Sequence, residues 1–139
     1  MNATKMSERA ILFHMNEQKH ILIVEDDRVL SAMLRHLLEA ENFRVTVAED
    51  GESGMTLTKE LSPDFLVVDI DMPKLNGIIM LKALRGQGVT APAIILTNLS
   101  RPEYIAEAAE LGIREYLIKA DWEIDKIVAK IKAHLTQRS

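Results

Sequence analysis

Two acidic clusters stand out in a chain of 139 residues. Glu25-Asp26-Asp27 directly follows the apolar run Ile21–Val24, and Asp69-Ile70-Asp71-Met72-Pro73 directly follows Phe65–Val68. Two single residues complete the set: Thr97 closes the run Ala93–Leu96, and Lys119 closes Tyr116–Ile118. Packed carboxylates repel one another and are costly unless a cation neutralises them. Three or four oxygens with no His or Cys beside them suit a hard ion, Mg2+, which keeps several waters and takes a phosphate oxygen as co-ligand. A lysine and a threonine suit phosphoryl oxygens. The combined chemistry is a phosphoryl group on or near a carboxylate, with Mg2+. Each part also has a plainer reading. Glu25-Asp26-Asp27 could serve only to cap a helix, and Thr97 or Lys119 alone says nothing. It is the joint placement, each residue at its own strand end, that favours a site.

Such a site needs elements that bring these positions together. His20–Val24 is too short for a helix and apolar on both faces, as a strand buried on both sides of a sheet is. Val29, Leu30, Met33, Leu34, Leu37 and Leu38 form a helical stripe. Arg44–Val47, Phe65–Val68, Ala93–Leu96 and Tyr116–Ile118 are four further strands. Gly51–Leu61, Ile78–Arg85 and a segment from Pro102 to Gly112 are helices between them. Ile124, Ile127, Val128, Ile131 and Leu135 mark a last helix. All four prolines (Pro63, Pro73, Pro92 and Pro102) fall between these segments or at a helix start. Strict alternation of strand and helix means right-handed crossovers and a doubly wound parallel sheet with helices on both faces. The two acidic clusters converge only if the first and third strands are neighbours, which requires the order 2-1-3-4-5. The site then lies at the switch point, outside the carboxyl ends of the strands.

Composition bounds the alternatives. A chain of this length, 47% hydrophobic, is one domain with a real core. Net charge is −4, so no basic excess is present to hold nucleic acid or an anionic membrane. The absence of cysteine excludes disulfides, thiolate catalysis and Cys-ligated zinc. No apolar run is long enough to cross a bilayer, and no secretory signal is recognisable. A cytoplasmic protein is expected. Residues 1–19 do not join the pattern and read as a poorly ordered N-terminal extension, leaving 20–139 as the domain. His36 and His134 fall on helices at solvent-facing or edge positions. Trp122 either covers the core or anchors a partner.

The residues that carry these features resemble a known family, the receiver domains of two-component response regulators. The motifs are Ile21-Leu22-Ile23-Val24-Glu25-Asp26-Asp27, then Pro63-Asp64-Phe65-Leu66-Val67-Val68-Asp69, then Met72-Pro73 with Gly77, then Thr97, then Tyr116-Leu117-Ile118-Lys119. The similarity spans about His20 to Leu135. It implies a flavodoxin-like fold. It implies that Asp69 is the phosphoacceptor, taking a phosphoryl group from a sensor histidine kinase or phosphotransfer protein. Asp26 and Asp69 would be direct Mg2+ ligands, Glu25 would act through water, and the backbone carbonyl of Asp71 would complete the protein ligands. Lys119 would pair with one phosphoryl oxygen, and Thr97 would swing its hydroxyl onto another. Tyr116 matches the aromatic switch residue that turns inward as Thr97 moves. The surface of the fourth helix, fifth strand and fifth helix would report the state to a downstream protein, and it is the face open to pairing of two copies.

Three departures mark this chain within the resemblance. Ala120 follows Lys119 where the family usually has proline, Asn98 follows Thr97 where a smaller residue is usual, and Asp71 adds a third acid near the phosphoacceptor. The expected function is that of a phospho-accepting, stand-alone receiver and not of an enzyme, beyond promoting its own phosphorylation and dephosphorylation. One rival is a receiver-like binding module that takes no phosphate. Another is an Asp-x-Asp phosphohydrolase, disfavoured because the motif sits on the third strand with no cap domain. A flavin-binding protein of the same topology is disfavoured because the turn after the first strand is acidic and would repel a phosphate.

Overall fold

The computed structural model describes residues 7–9 and 18–136. Most of the extension expected at 1–19 lies outside the described residues. Gln18 is described, and its side-chain amide donates to the backbone carbonyl and Oδ1 of Asn42.

The five strands are β1 (His20–Val24), β2 (Arg44–Ala48), β3 (Phe65–Val68), β4 (Ala93–Thr97) and β5 (Glu115–Ile118). They form one parallel sheet in the order β2-β1-β3-β4-β5, as the convergence of the acidic clusters requires. Helices α1 (Arg28–Ala40), α2 (Gly51–Leu61), α3 (Gly77–Gly86), α4 (Pro102–Glu110) and α5 (Ile124–Thr136) alternate with them.

β1, β3 and β4 are buried along their whole length, because helices cover both faces. Alternate residues feed two cores. Ile21, Ile23, Phe65, Val67, Ile94 and Leu96 pack against Leu34 and Leu38 of α1 and Ile127, Val128 and Ile131 of α5. Leu22, Val24, Leu66, Val68 and Ile95 face α2, α3 and α4 on the other side.

Helix α1 is rotated from the sequence expectation. Leu34 and Leu38 are buried together with Ser31, whereas Val29 is 71% exposed and Met33 48% exposed. At about 100° per residue, Met33 stands about 100° and Val29 about 140° round the helix from Leu34. Both are therefore too far round to reach the sheet, although their spacing suits a stripe. His134 also departs from expectation. Its ring stacks on Phe65, with centroids 5.9 Å apart, and its Nε2 meets Glu115 Oε2. Trp122 packs partly buried against the α1/α5 core, with the Lys130 ammonium 5.3 Å from its ring centroid.

Local chemistry sets the turns at the carboxyl edge. Asp27 caps α1, its Oδ1 accepting from the N–H groups of Val29 and Leu30. Asn76 caps α3, its Oδ1 accepting from Ile78 and Ile79. α2 approaches the sheet through small residues, with Gly51, Gly54 and Thr58 buried. Backbone approaches equally closely at Gly51, where a Cβ would lie 2.1 Å from the carbonyl oxygen of Leu75, and at Gly77, where it would lie 2.1 Å from the carbonyl oxygen of Asp69. No helix among the described residues is long and apolar enough to cross a membrane.

Gly77 thus sets how close α3 sits to the loop that carries Asp69. Gly77→Ala is expected to lower unfolding free energy by about 1–3 kcal/mol in a urea titration, since backbone must shift. Gly86→Ala is the control. An added Cβ there meets nothing within 4 Å, so stability should hold or rise slightly.

Candidate functional site

The residues singled out from the sequence meet at one end of the sheet, since parallel strands all deliver their carboxyl ends to the same edge. Glu25 follows β1 and is 3% exposed, and Asp69 follows β3 and is 4% exposed. Asp26 is exposed beside them. Glu25, Asp26 and Asp69 each offer a carboxylate oxygen, and these oxygens lie within 4.8 Å of one another. Asp27, the third acid of the first cluster, turns away to cap α1. Its N–H still donates to Glu25 Oε2 at 3.0 Å. The tripeptide thus divides: Asp27 is the helix cap, while Glu25 and Asp26 gather beside Asp69.

Lys119 comes from the end of β5 and reaches across β4. Its Nζ lies 2.8 Å from Glu25 Oε1 and 2.9 Å from Asp69 Oδ2, with the side chain 18% exposed. Burial pushes the Glu25 carboxyl up to about 7, against the pull of Lys119 and the Asp27 N–H, and the Asp69 charge adds to the rise. Burial works to lower the Lys119 ammonium, but its hydrogen bonds to Glu25 and Asp69 outweigh that and hold it above the usual lysine range.

Asp71 joins through its backbone: its N–H donates to Asp69 Oδ1 at 3.2 Å, and the residue itself is exposed. Thr97 is fully buried at the end of β4. Its Oγ1 accepts from the N–H of Leu99 at 3.3 Å, so the hydroxyl is engaged with its own loop. The Tyr116 hydroxyl donates to the carbonyl of the same Leu99. Burial, then the charges of Tyr104 and Asp69, push that phenol up. Thr97 and Tyr116 are thus linked through one residue, Leu99, which sequence reasoning did not single out.

Asn98 is a second residue whose part was not foreseen. Its Oδ1 accepts from the N–H of Ala120 at 3.2 Å. Lys119–Asp121 forms a single 3-10 turn, closed by the Trp122 N–H on the Lys119 carbonyl. Every peptide bond among the described residues is trans, that between Lys119 and Ala120 included. The signal was present in the sequence as two separate departures, Asn98 and Ala120, and only the fold makes them partners.

The arrangement supplies an oxygen-rich cluster, two buried carboxylates held by one ammonium, and a hydroxyl within the same edge. All-oxygen donors with no nitrogen or sulfur fit a hard divalent ion. Three carboxylates against one ammonium also leave an excess of negative charge for such an ion to balance.

The chain is similar to known proteins. The family model for the response regulator receiver domain matches residues 21–132. The chain is 44% identical over 115 residues to the transcriptional regulatory protein CpxR of Escherichia coli (strain K12), covering 83% of this chain and 48% of that protein. It is 34% identical over 119 residues to Protein RcaC of Microchaete diplosiphon, covering 86% of this chain and 18% of the other. The chain thus spans about half the length of CpxR, and less of RcaC. Among solved structures, the receiver domain of Francisella response regulator 1452 superposes with a TM-score of 0.75 at 31% identity, covering 83% of this chain and 94% of that one. The BeF3-activated N-terminal receiver domain of Klebsiella pneumoniae RstA gives a TM-score of 0.76 at 26% identity, covering 86% and 100%. With the family match extending over nearly the whole described domain, this chain belongs to the response regulator receiver domains of two-component signalling.

Proposed function

We propose that Asp69 accepts a phosphoryl group from a histidine of a sensor kinase or phosphotransfer protein. The observation that carries this reading is the buried Asp69 carboxylate, paired to Lys119 and set beside Glu25 and Asp26. In the step, an Asp69 oxygen attacks phosphorus, the P–N bond to the donor imidazole breaks, and that ring nitrogen keeps the electron pair. Asp69 then carries an acyl phosphate.

Asp26, Asp69 and the carbonyl of Asp71 would hold Mg2+, with Glu25 acting through water. When bound, the ion balances charge on the phosphoryl oxygens. The chain's own residues do the rest. Lys119 already sits 2.9 Å from Asp69 Oδ2 and needs only a short shift to meet a phosphoryl oxygen. Thr97 must break its bond to the Leu99 N–H to offer its hydroxyl. That releases the loop on which Tyr116 rests, since the phenol donates to the Leu99 carbonyl. Contacts made only with the phosphoryl group present shift a two-state equilibrium, and Tyr116 turning inward reshapes the surface of α4, β5 and α5.

That surface is the proposed face for a downstream protein and for pairing of two copies. The net charge of −4 argues that this domain itself does not grip nucleic acid. Membership of the family supports the reading of this domain as a phosphoacceptor that promotes its own phosphorylation and dephosphorylation.

Incubation with phosphoramidate and Mg2+ should add one phosphoryl group by intact mass, and chelation of the ion should abolish the gain. Asp69→Asn should remain unlabelled; equal labelling of that variant would move the acceptor elsewhere. Thr97→Ala should still be labelled but should lose the change in Tyr116 environment seen by NMR on activation. Lys119→Met should bind Mg2+ more tightly, by about tenfold in calorimetry, because it removes a cation in contact with two of the proposed ligands.

A further inference from the structure

From the end of β4 onward, three consecutive residues each make a different link. Thr97 bonds to Leu99, Leu99 bonds to Tyr116, and Asn98 bonds to Ala120. Only the Asn98 bond crosses to the turn that begins with Lys119. It lies beyond the last paired rung of the two strands, Thr97 with Ile118, where backbone pairing has ended. A side-chain carbonyl there takes the place of a backbone acceptor.

The need for such a link follows from the reach of Lys119. Two strand spacings, about 9.6 Å, separate β5 from β3, and Glu25, just past the end of β1, lies one spacing further. A four-carbon stem has little slack over that distance. A small displacement of the Lys119 backbone therefore moves the ammonium off its carboxylates. The 3-10 turn fixes that backbone on one side, through Trp122 N–H to Lys119 carbonyl at 3.3 Å. Asn98 fixes it on the other.

We propose that Asn98 is a positioning residue: its carboxamide, accepting from the Ala120 N–H, sets the backbone from which Lys119 reaches Glu25 and Asp69. The pairing depends on both residue types. Proline at 120 would have no N–H to give, and alanine at 98 would have no acceptor. Both residues are exposed, so the bond adds little to global stability, and its effect falls on where the ammonium sits. In its consequence for phosphorylation, the proposal rests on the reading of Asp69 above.

The full chain with Asn98→Ala, Asn98→Asp, Ala120→Pro, and Asn98→Ala combined with Ala120→Pro tests it by two readouts. One is the rate of phosphoryl gain from phosphoramidate with Mg2+. The other is the 15N ammonium signal of Lys119, which slow proton exchange makes visible while the ion pairs hold. Asn98→Ala should slow labelling by about two- to tenfold, the size expected from one hydrogen bond. It should also broaden the ammonium signal while leaving the melting temperature unchanged. Asn98→Asp keeps an acceptor oxygen and should retain the sharp signal. In the Ala120→Pro background, Asn98→Ala should cause no further slowing, because the donor is already gone. Wild-type labelling and a sharp ammonium signal in Asn98→Ala would overturn the proposal, as would equal slowing with and without the Ala120 N–H. A wild type that gains no phosphoryl mass would instead overturn the reading of Asp69, and the ammonium signal would still decide the role of Asn98.

Discussion

The structure turns on one ammonium between two buried carboxylates. Glu25 and Asp69 end adjacent strands, and both are almost wholly removed from water. Two unpaired negative charges in that position would cost several kcal/mol each. Lys119 offsets this by bonding to both. It can do so only because β5 lies on the same side of β3 as β4 and points the same way. Parallel topology is therefore an electrostatic requirement of the site, and the apolar strands supply the rigidity that holds the charges close. The same pairing leaves the pocket with excess negative charge, which makes it receptive to a divalent cation and to the phosphoryl chemistry proposed for Asp69.

Around that ion pair, the loops after β3 and β4 work by backbone contact. Gly77 lets α3 start against the Asp69 carbonyl, where a Cβ would clash, and its N–H donates to the Ile70 carbonyl at 3.1 Å. The Asp71 N–H donates to the Asp69 carboxylate itself. After β4, Leu99 is held by Thr97 on its N–H and by Tyr116 on its carbonyl. A change at either residue is felt by the other through a single intervening residue. This gives a short physical route from Thr97, at the carboxyl edge of the sheet, to Tyr116 on β5, with no long chain of packed residues.

Much of this was legible in the sequence, for reasons that differ by element. The buried strands declared themselves because a segment covered on both faces must be apolar at every position, as in Phe65–Val68. The prolines bounded the elements because a ring without an N–H cannot sit inside them. Helix α2 was the weakest pattern because it packs through Gly51 and Gly54, and closeness of backbone leaves no apolar signature. Val29 and Met33 misled because periodicity gives the width of a stripe and not which edge of it touches the sheet. His134 misled because a neighbouring Glu115 and the ring of Phe65 make an inward position tolerable, and neither is close in sequence.

The sequence by itself determined the fold class, the strand order and the set of chemistry-bearing residues. Alternating short apolar and amphipathic segments admit few topologies, and only one of those brings Glu25 near Asp69. Tertiary structure alone decided how the members divide the work. It turned Asp27 away to a helix cap, kept Glu25 and Asp69 for Lys119, and made Asn98 and Ala120 partners. These are choices of side-chain direction and hydrogen-bond partner between segments distant along the chain. Local patterns report periodicity and propensity within a segment, and carry no information about which donor a folded neighbour will present.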